Sequence, residues 1–248
     1  MRWFLLGSIG FCQQFLSMGA RFQLSHAQLC SPTDRASNLV SFDRTQKSSL
    51  AAFFSWGWTS YFATGVEIGY GGAGQALYGI GINGDPYTAR INLHYLRIGI
   101  GVQPQYAKER WGFWGSFSPS LAFLTQAELI YQGDSLPRGN LVAPQIIQYV
   151  VEYLNQSTDP NDRLVLLQMY RRSVPVLHIA GGMRVRLAPQ VWLLGLLSYE
   201  RSFGDIEQKG FRLKGEENYL YSPQRRPVQY RLLGLQLGIQ YEVNLTEN

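Results

Sequence analysis

The sequence predicts an all-β protein that folds as an eight-stranded antiparallel transmembrane β-barrel with long extracellular loops. Three observations support this prediction. Many segments alternate strictly between apolar residues and small or polar residues, as β-strands with two different faces do. No run of about eighteen apolar residues follows the first twenty positions, so no spanning helix is expected. The 248 residues include 26 glycines and 14% aromatic residues but only 16% charged residues.

The clearest strand is Tyr230–Val243. Its odd positions from Leu233 to Val243 are apolar, and its even positions from Gly234 are Gly, Gln, Gly, Gln and Glu. Because side chains alternate across a strand, one face is apolar and the other is small and polar. In a soluble β-sandwich the apolar face would point inward, whereas in a transmembrane barrel it would point towards lipid. This strand alone leaves both alternatives open.

Similar alternation predicts seven further strands, and in some of them the alternation is less regular. Pro119, within the predicted strand Trp111–Tyr131, cannot donate a hydrogen bond to a neighbouring strand, so we expect a bulge or a strand break there. The register of the strand around Trp192–Leu197 stays open because both of its faces are apolar. Trp56 and Trp58 are expected in an interfacial aromatic belt. The predicted strands are a first one near Asn38–Arg44, then Leu50–Ser60, Tyr61–Tyr70, Ile91–Gln103, Trp111–Tyr131, Val174–Leu187 and Val191–Arg201.

The connectors between these strands favour the barrel over the sandwich. Those near 59–61, 104–110 and 188–190 are short, and those near 71–90, 132–173 and 202–228 are long. Short and long connectors therefore alternate, as periplasmic turns and extracellular loops do in outer-membrane barrels. Within the segment 132–173, Pro144–Leu154 and Asp162–Arg172 are predicted as short amphipathic helices.

The N-terminus has the pattern of a secretory signal peptide over residues 1–27. Arg2 provides the positive charge, the following residues to Leu16 are largely apolar, and the candidate cleavage points follow Gly19 and Ala27. This predicts a single outer-membrane barrel domain over residues 28–248. Removal of Cys12 would leave Cys30 as the sole cysteine, so no intrachain disulfide is expected. Neither cysteine has metal-ligand spacing, and no metal or other cofactor is predicted.

Three segments resemble a known family. Gly65–Tyr70, Leu93–Ile98 and Tyr199–Ile206 are similar to the G-x-E-x-x-Y, L-x-Y-L-x-I-P and Y-x-x-G-L-x-D-I motifs of the PorT-like outer-membrane β-barrel family common in Bacteroidota. The chain departs from these motifs at Gly99, where proline is usual, and at Phe203–Gly204, where the family has glycine before leucine. The resemblance implies the barrel fold and the outer membrane as location. It implies little chemistry, although one namesake is tied to protein secretion.

The candidate functional residues are charged. A barrel of eight strands is just wide enough to be filled by its own side chains, and buried charges need partners. We therefore predict a lumen charge network, whose members are Glu67, Arg97, Glu128, Arg184, Arg186 and Glu242. The cations of the loop 203–228 are expected either to be solvated or to contact lipopolysaccharide phosphates, for which arginine is well suited. These cations are Lys209, Arg212, Lys214, Arg225 and Arg226.

These patterns predict a non-catalytic protein, with a structural role or a role as an accessory subunit of an outer-membrane assembly for secretion or uptake. Its expected partners are outer-membrane lipid, lipopolysaccharide and other outer-membrane proteins, the last through loops 132–173 and 203–228. The net charge of +5 comes without a basic run, so nucleic acid is not an expected partner. A lipid-A-modifying enzyme that uses His178, or a narrow ion-conducting porin, remains the alternative. Gly69–Gly74 fits G-x-G-x-x-G, but no helix is predicted after it.

Overall fold

The computed structural model describes residues 14–30, 40–81, 83–133, 165–208 and 227–245. Nearly all of these residues lie in β-strands, and the described part contains one short helix. The strands are β1 (Phe15–Cys30), β2 (Val40–Asp43), β3 (Thr45–Thr59), β4 (Phe62–Ile80), β5 (Pro86–Lys108), β6 (Trp111–Gln132), β7 (Ser173–Ala188), β8 (Val191–Ser202) and β9 (Gln229–Asn244), and the helix is α1 (Val165–Met169).

Eight of the strands form a closed antiparallel ring. β1 pairs with β3 and β9, the remaining neighbours pair in chain order from β3 to β9, and the β4–β5 pairing completes the circle. The short β2 pairs only with Ala76–Gly79 of β4. The pairing of β3 with β4 ends before this segment, at Gly71. The predicted eight-stranded all-β barrel is thus confirmed.

The first strand of the ring differs from the prediction. The strand expected near Asn38–Arg44 corresponds to the accessory β2, whereas β1 begins at Phe15. Within β1, Ser17, Arg21 and Ser25 face inward and Phe22 and Leu24 face outward. Because residues 1–27 fit the pattern of a signal peptide, this alternation was not interpreted as a strand.

Cleavage after Ala27 would remove all of β1 except its last three residues, and cleavage after Gly19 would remove its first five. Both cleavage points conflict with a strand that pairs along its length with β9, from Phe15↔Asn244 to Cys30↔Gln229. The boundary at residue 27 stays a prediction, and the pairing of β1 along its whole length counts against it. Residues 1–13 lie outside the described part of the chain.

One connector was also mispredicted. The segment 71–90 is not a long loop, because β4 and β5 stay paired as far as Ile80↔Pro86 and form a hairpin that extends beyond the rest of the ring. The three short turns fall where they were expected, after Thr59, Lys108 and Ala188. The turn after β5 places Glu109 at a positive φ of 44°.

Pro119 does not break β6 and does not shift its register. The β5–β6 pairing runs from Gly99↔Ser120 to Val102↔Phe117 with the same offset on either side of the proline. The bulge lies instead at Thr125, between the pairs His94↔Gln126 and Tyr95↔Leu124. A single extra residue exchanges the two faces of the strand beyond it.

The outer face of the ring is apolar along the middle of every strand. On β9, Leu233, Leu235, Leu237 and Ile239 are each more than half exposed. Trp56 and Trp58 lie on the same surface of the barrel next to a short turn, as predicted. Among the described residues, no helix is long and apolar enough to cross a membrane.

The segment 132–173 enters the described structure only at its ends. α1 lies within the predicted helix Asp162–Arg172 but is shorter, at five residues. The predicted helix Pro144–Leu154 lies outside the described residues.

Candidate functional site

The interior of the barrel is the candidate site, and it is layered. Towards the end with the short turns, an apolar layer consists of Phe53, Trp114, Ala180, Leu194 and Leu196. The even residues of β8 point inward, which fixes the register that the sequence left open. Its inner face is apolar in its lower part and polar above, so the lumen is not the uniformly polar core that a charge network suggested.

A buried ion pair lies above this layer. The Arg21 guanidinium donates from Nη2 to Glu67 Oε2, and both side chains are almost completely buried. The guanidinium also lies over two aromatic rings, 5.1 Å from the centroid of Phe53 and 4.9 Å from that of Trp114. The charge of Arg21 is thus balanced by one carboxylate and two π-faces.

Amide and imidazole groups extend this ion pair across the lumen. Gln236 Oε1 accepts from Arg21 Nη1 at 3.4 Å, and its Nε2 donates to Gln23 Oε1 at 2.7 Å. The same Nε2 lies 2.9 Å from His178 Nε2. Because Gln236 is the donor there, His178 accepts at Nε2 and carries its proton on Nδ1, 3.9 Å from Glu67 Oε1. The network therefore connects β1, β4, β7 and β9.

A second buried ion pair lies nearer the extracellular end. Arg97 donates from Nη1 to Glu200 Oε2, and Tyr230 donates from its hydroxyl to Glu200 Oε1 at 3.0 Å. Gly69 leaves room for Arg97, since a Cβ at this position would lie 2.9 Å from Arg97 Nη2. Both oxygens of the Glu200 carboxylate are thus occupied, as burial of the charge requires.

The extracellular end is covered by an apolar cluster. Met169, Tyr170, Ile206 and Val228 come from the chain outside the ring and pack against buried residues of the strands. Asp205 fixes this cover, because its Oδ1 accepts from the backbone amide of Val228 at 2.9 Å. A cavity beneath the cover has a volume of about 10 Å³, which is room for about one water molecule.

The periplasmic end is more open. A vestibule of about 200 Å³ is lined by polar groups that include Arg184, Arg186 and Glu242. Arg184 Nη1 donates to Glu242 Oε2 at 3.1 Å and to Gln105 Oε1 at 3.0 Å. Both Arg184 and Arg186 lie over the ring of Trp192, at 4.3 and 4.6 Å from its centroid.

The structure brings together most of the predicted lumen residues. Glu67, Arg97, Arg184 and Glu242 face inward and are ion-paired, and Arg186 lies exposed at the periplasmic mouth. Glu128 does not belong to the network.

Glu128 lies beyond the Thr125 bulge, which turns its side chain to the exposed outer face of β6. There its carboxylate accepts a hydrogen bond from Gln126. The predicted loop cations Lys209, Arg212, Lys214, Arg225 and Arg226 lie outside the described residues.

Three central residues of the network were missed. Arg21 was assigned to the signal peptide, although the alternation from Phe15 to Ser25 marks a strand. Glu200 and Gln236 lie on the inner face, but the sequence does not show that they contact Arg97 and His178 on strands that are not their neighbours. The two-residue period was therefore enough to show that Arg21 faces inward. It was not enough to show which residues Glu200 and Gln236 contact.

The histidines occupy three different environments. His178 is buried in the lumen, His94 stacks on Tyr70 at 5.9 Å, and His26 is exposed on the outer face of β1. His26 therefore joins His94 and His178 as a third histidine of the barrel. No group of three His, Cys, Asp or Glu side chains in the described chain could hold a metal ion.

A closed antiparallel barrel with an apolar outer belt and a filled polar interior defines the class of this protein. In lipid, every backbone polar group must be satisfied within the structure, and a closed ring of strands achieves this without an edge. The chain is an integral outer-membrane β-barrel protein.

No protein-family model matches the chain, and no curated protein matches it. Several solved structures are similar at low identity.

The chain is similar to the Pseudomonas aeruginosa outer membrane protein OprG, with 9% identity over 94% of this chain and 97% of that one and a TM-score of 0.46. Neisserial surface protein A shares 9% identity over 90% and 96% of the two chains, with a TM-score of 0.41. Outer membrane protein AlkL shares 13% identity over 100% and 99%, with a TM-score of 0.41. We draw no function from likenesses at these scores.

Proposed function

We propose that this protein is a non-catalytic outer-membrane barrel that acts as a structural or accessory subunit of a larger outer-membrane assembly. The observation that carries the proposal is the filled lumen. Two buried ion pairs lie between an apolar layer on the periplasmic side and an apolar cover on the extracellular side. Such an interior supports a scaffold whose contacts lie outside the barrel. The resemblance to PorT-like barrels favours an assembly of the secretion type.

Two features count against the alternative of a lipid-A-modifying enzyme. His178 has one ring nitrogen hydrogen-bonded to Gln236 and the other directed at Glu67, and its side chain is buried. A general base must reach a proton of the substrate, and His178 is enclosed by the wall of the barrel. His94 lies on the outer face and stacks on Tyr70, and among the described residues no ion pair joins it to a carboxylate.

The narrow-porin alternative requires a continuous aqueous path. In the described barrel the largest interior side chains, Trp114 and Trp192 among them, are fully buried, and the upper cavity holds about one water molecule. The vestibule therefore ends against the apolar layer. The proposed role requires no such path.

Co-purification from native membranes in mild detergent tests the proposed role. We expect the tagged protein to migrate on native gels in a complex larger than the barrel, with the same outer-membrane partner recovered by reciprocal tagging. A monomer that recovers no reciprocal partner would contradict the accessory role.

The enzymatic alternative has a separate readout. Mass spectrometry of lipid A from cells with and without the gene should give identical species. A difference that disappears in a His178→Ala variant with an intact fold would establish the enzyme instead.

A further inference from the structure

Two arginines face each other on the outer surface of the barrel. Arg201 on β8 and Arg231 on β9 are directly paired in the strand register, and both side chains point outward above the apolar belt. Like charges directly opposite each other on a sheet repel and destabilise the pairing. Among the described residues neither guanidinium takes part in an ion pair. The location therefore favours an anion between or beside the two side chains.

The two guanidinium groups differ in their local partners. Arg201 donates from Nε and Nη2 to Gln229 Oε1, at 3.2 and 2.8 Å, so its orientation is fixed. Arg231 is half-buried, and its Nε is buried without a hydrogen-bond partner in the described chain. Two neighbouring guanidinium groups with donors to spare match the geometry of a phosphate group.

An apolar groove lies below the arginines on the same strands. It has a volume of about 460 Å³, and its walls are formed by Phe22, Leu24, Leu235 and Leu237 on one side and Met183 and Leu197 on the other. Gly181 and Gly195 form its floor, where an added Cβ would meet no atom within 4 Å. Most of the surface in this groove is apolar, as expected for a site that receives a hydrocarbon chain.

The arginines and the groove are spaced for one lipid molecule. Arg201 lies four residues after Leu197 of the groove along β8, a distance of roughly 13 Å at ~3.3 Å per residue. A lipid acyl chain bridges that distance. Since the arginines lie at the end of the barrel with the long connectors, they lie at the extracellular surface of the membrane. The lipid of that leaflet with phosphates and acyl chains on one molecule is lipid A.

We propose that this face is a lipid A site, in which Arg201 and Arg231 bind a phosphate and the groove over Gly181 and Gly195 binds an acyl chain. It provides a fixed position for one lipopolysaccharide molecule against strands β7, β8, β9 and β1.

Native mass spectrometry of the detergent-solubilised full chain, titrated with bisphosphorylated lipid A, tests the proposal. We expect a single high-affinity adduct. Arg231→Gln and Arg201→Gln should each raise its Kd roughly tenfold, the loss expected for one hydrogen bond to a charged group. Gly195→Leu adds a side chain in the groove at a position where a Cβ meets no atom within 4 Å, and it should weaken binding by a similar factor.

Three matched controls distinguish a site from general attraction. Arg90→Gln removes another exposed arginine, on the outer face of β5, and Ala52→Leu enlarges an outward residue on β3. Both should leave the Kd unchanged. Dephosphorylated lipid A should bind at least tenfold more weakly than the bisphosphorylated form.

Equal binding of the two lipids, or unchanged binding by Arg231→Gln, would overturn the proposal. So would a loss in Ala52→Leu equal to that in Gly195→Leu. Each variant must retain the heat-modifiable gel migration of a folded barrel, and the conservative Arg231→Lys variant, which keeps the charge, should retain part of the affinity if Arg231→Gln loses it.

Discussion

The middle of the lumen and its periplasmic mouth contain the same chemistry in different surroundings. Arg21–Glu67 is enclosed by aromatic rings and amide groups, whereas Arg184–Glu242 borders a vestibule of about 200 Å³. Glu67 has a side-chain exposure of 10% and Glu242 one of 18%. Both arginines are buried, so both pairs must compensate the desolvation of a guanidinium, and the pairs differ in that the carboxylate of the mouth pair is nearer to water. The comparison indicates that charged side chains at the centre of the barrel need several partners around them.

The largest effect is expected from Glu67→Gln. This change keeps the shape of the side chain but removes the carboxylate that pairs with Arg21, so a buried guanidinium loses its counter-charge. We expect a loss of about 3–5 kcal/mol in the free energy of unfolding. Reversible denaturant unfolding in detergent or lipid vesicles measures it. A loss below about 1 kcal/mol would show that the pair is not desolvated as described.

An intermediate effect is expected when both charges are removed. Arg21→Met combined with Glu67→Leu leaves no buried charge, and similar replacements of buried ion pairs are often neutral or stabilising. We expect the double variant to be at least about 2 kcal/mol more stable than Glu67→Gln, because the uncompensated charge costs more than the pair contributes. The same denaturant titration checks this. Equal losses of unfolding free energy in the two variants would show that the destabilisation comes from altered packing and not from an unpaired charge.

The smallest effect is expected from Glu242→Gln at the periplasmic mouth. Arg184 is itself buried, but it keeps its hydrogen bond to Gln105 and its position over Trp192, and only its partner Glu242 is partly exposed, beside the vestibule. Because these two contacts remain, we expect a loss of about 1 kcal/mol, the net contribution of one hydrogen bond. Raising the salt concentration should shrink this loss further but leave that of Glu67→Gln nearly unchanged. A loss as large as that of Glu67→Gln would show that the Arg184–Glu242 pair does not differ from the Arg21–Glu67 pair.

The fold was predictable because its signal repeats in every strand. The two-residue period assigned the outward faces of β3, β4, β5, β7 and β9 correctly, and Trp56 and Trp58 fell where an aromatic belt requires them. β1 failed for a local reason: an apolar stretch near a chain terminus satisfies both a signal peptide and the outer face of a strand. Arg21 and Gln23 then appear as polar flanks, although they face the lumen.

The site was less predictable than the fold because it depends on register and on bulges. Thr125 adds one residue to β6, and that single residue turns Glu128 from the inner to the outer face. No local property of the sequence marks Thr125, because the polar residues Gln126 and Glu128 continue the earlier alternation. The partners of Arg97 and Glu67 also come from strands far away in sequence, and a strand pattern contains no information on pairing offset.

The polar interior residues were assumed to fill the lumen by themselves. Trp192, Leu194 and Leu196 show that a strand with two apolar faces places one of them inside. Among the described residues, apolar groups lie on both sides of the Arg21–Glu67 and Arg97–Glu200 pairs and shield them from water. We therefore predict a plugged barrel and not a narrow pore with the same charges.

Conductance in planar lipid bilayers tests the closed lumen most directly. Purified protein that has inserted, as shown by heat-modifiable migration after recovery from the same lipid, should give no stable stepwise conductance at neutral pH. This result is expected because Trp114, the Arg21–Glu67 pair and the extracellular cover each block the axis. Stable and sizeable conductance steps from the wild-type protein would contradict the filled lumen, and with it the scaffold role that we propose.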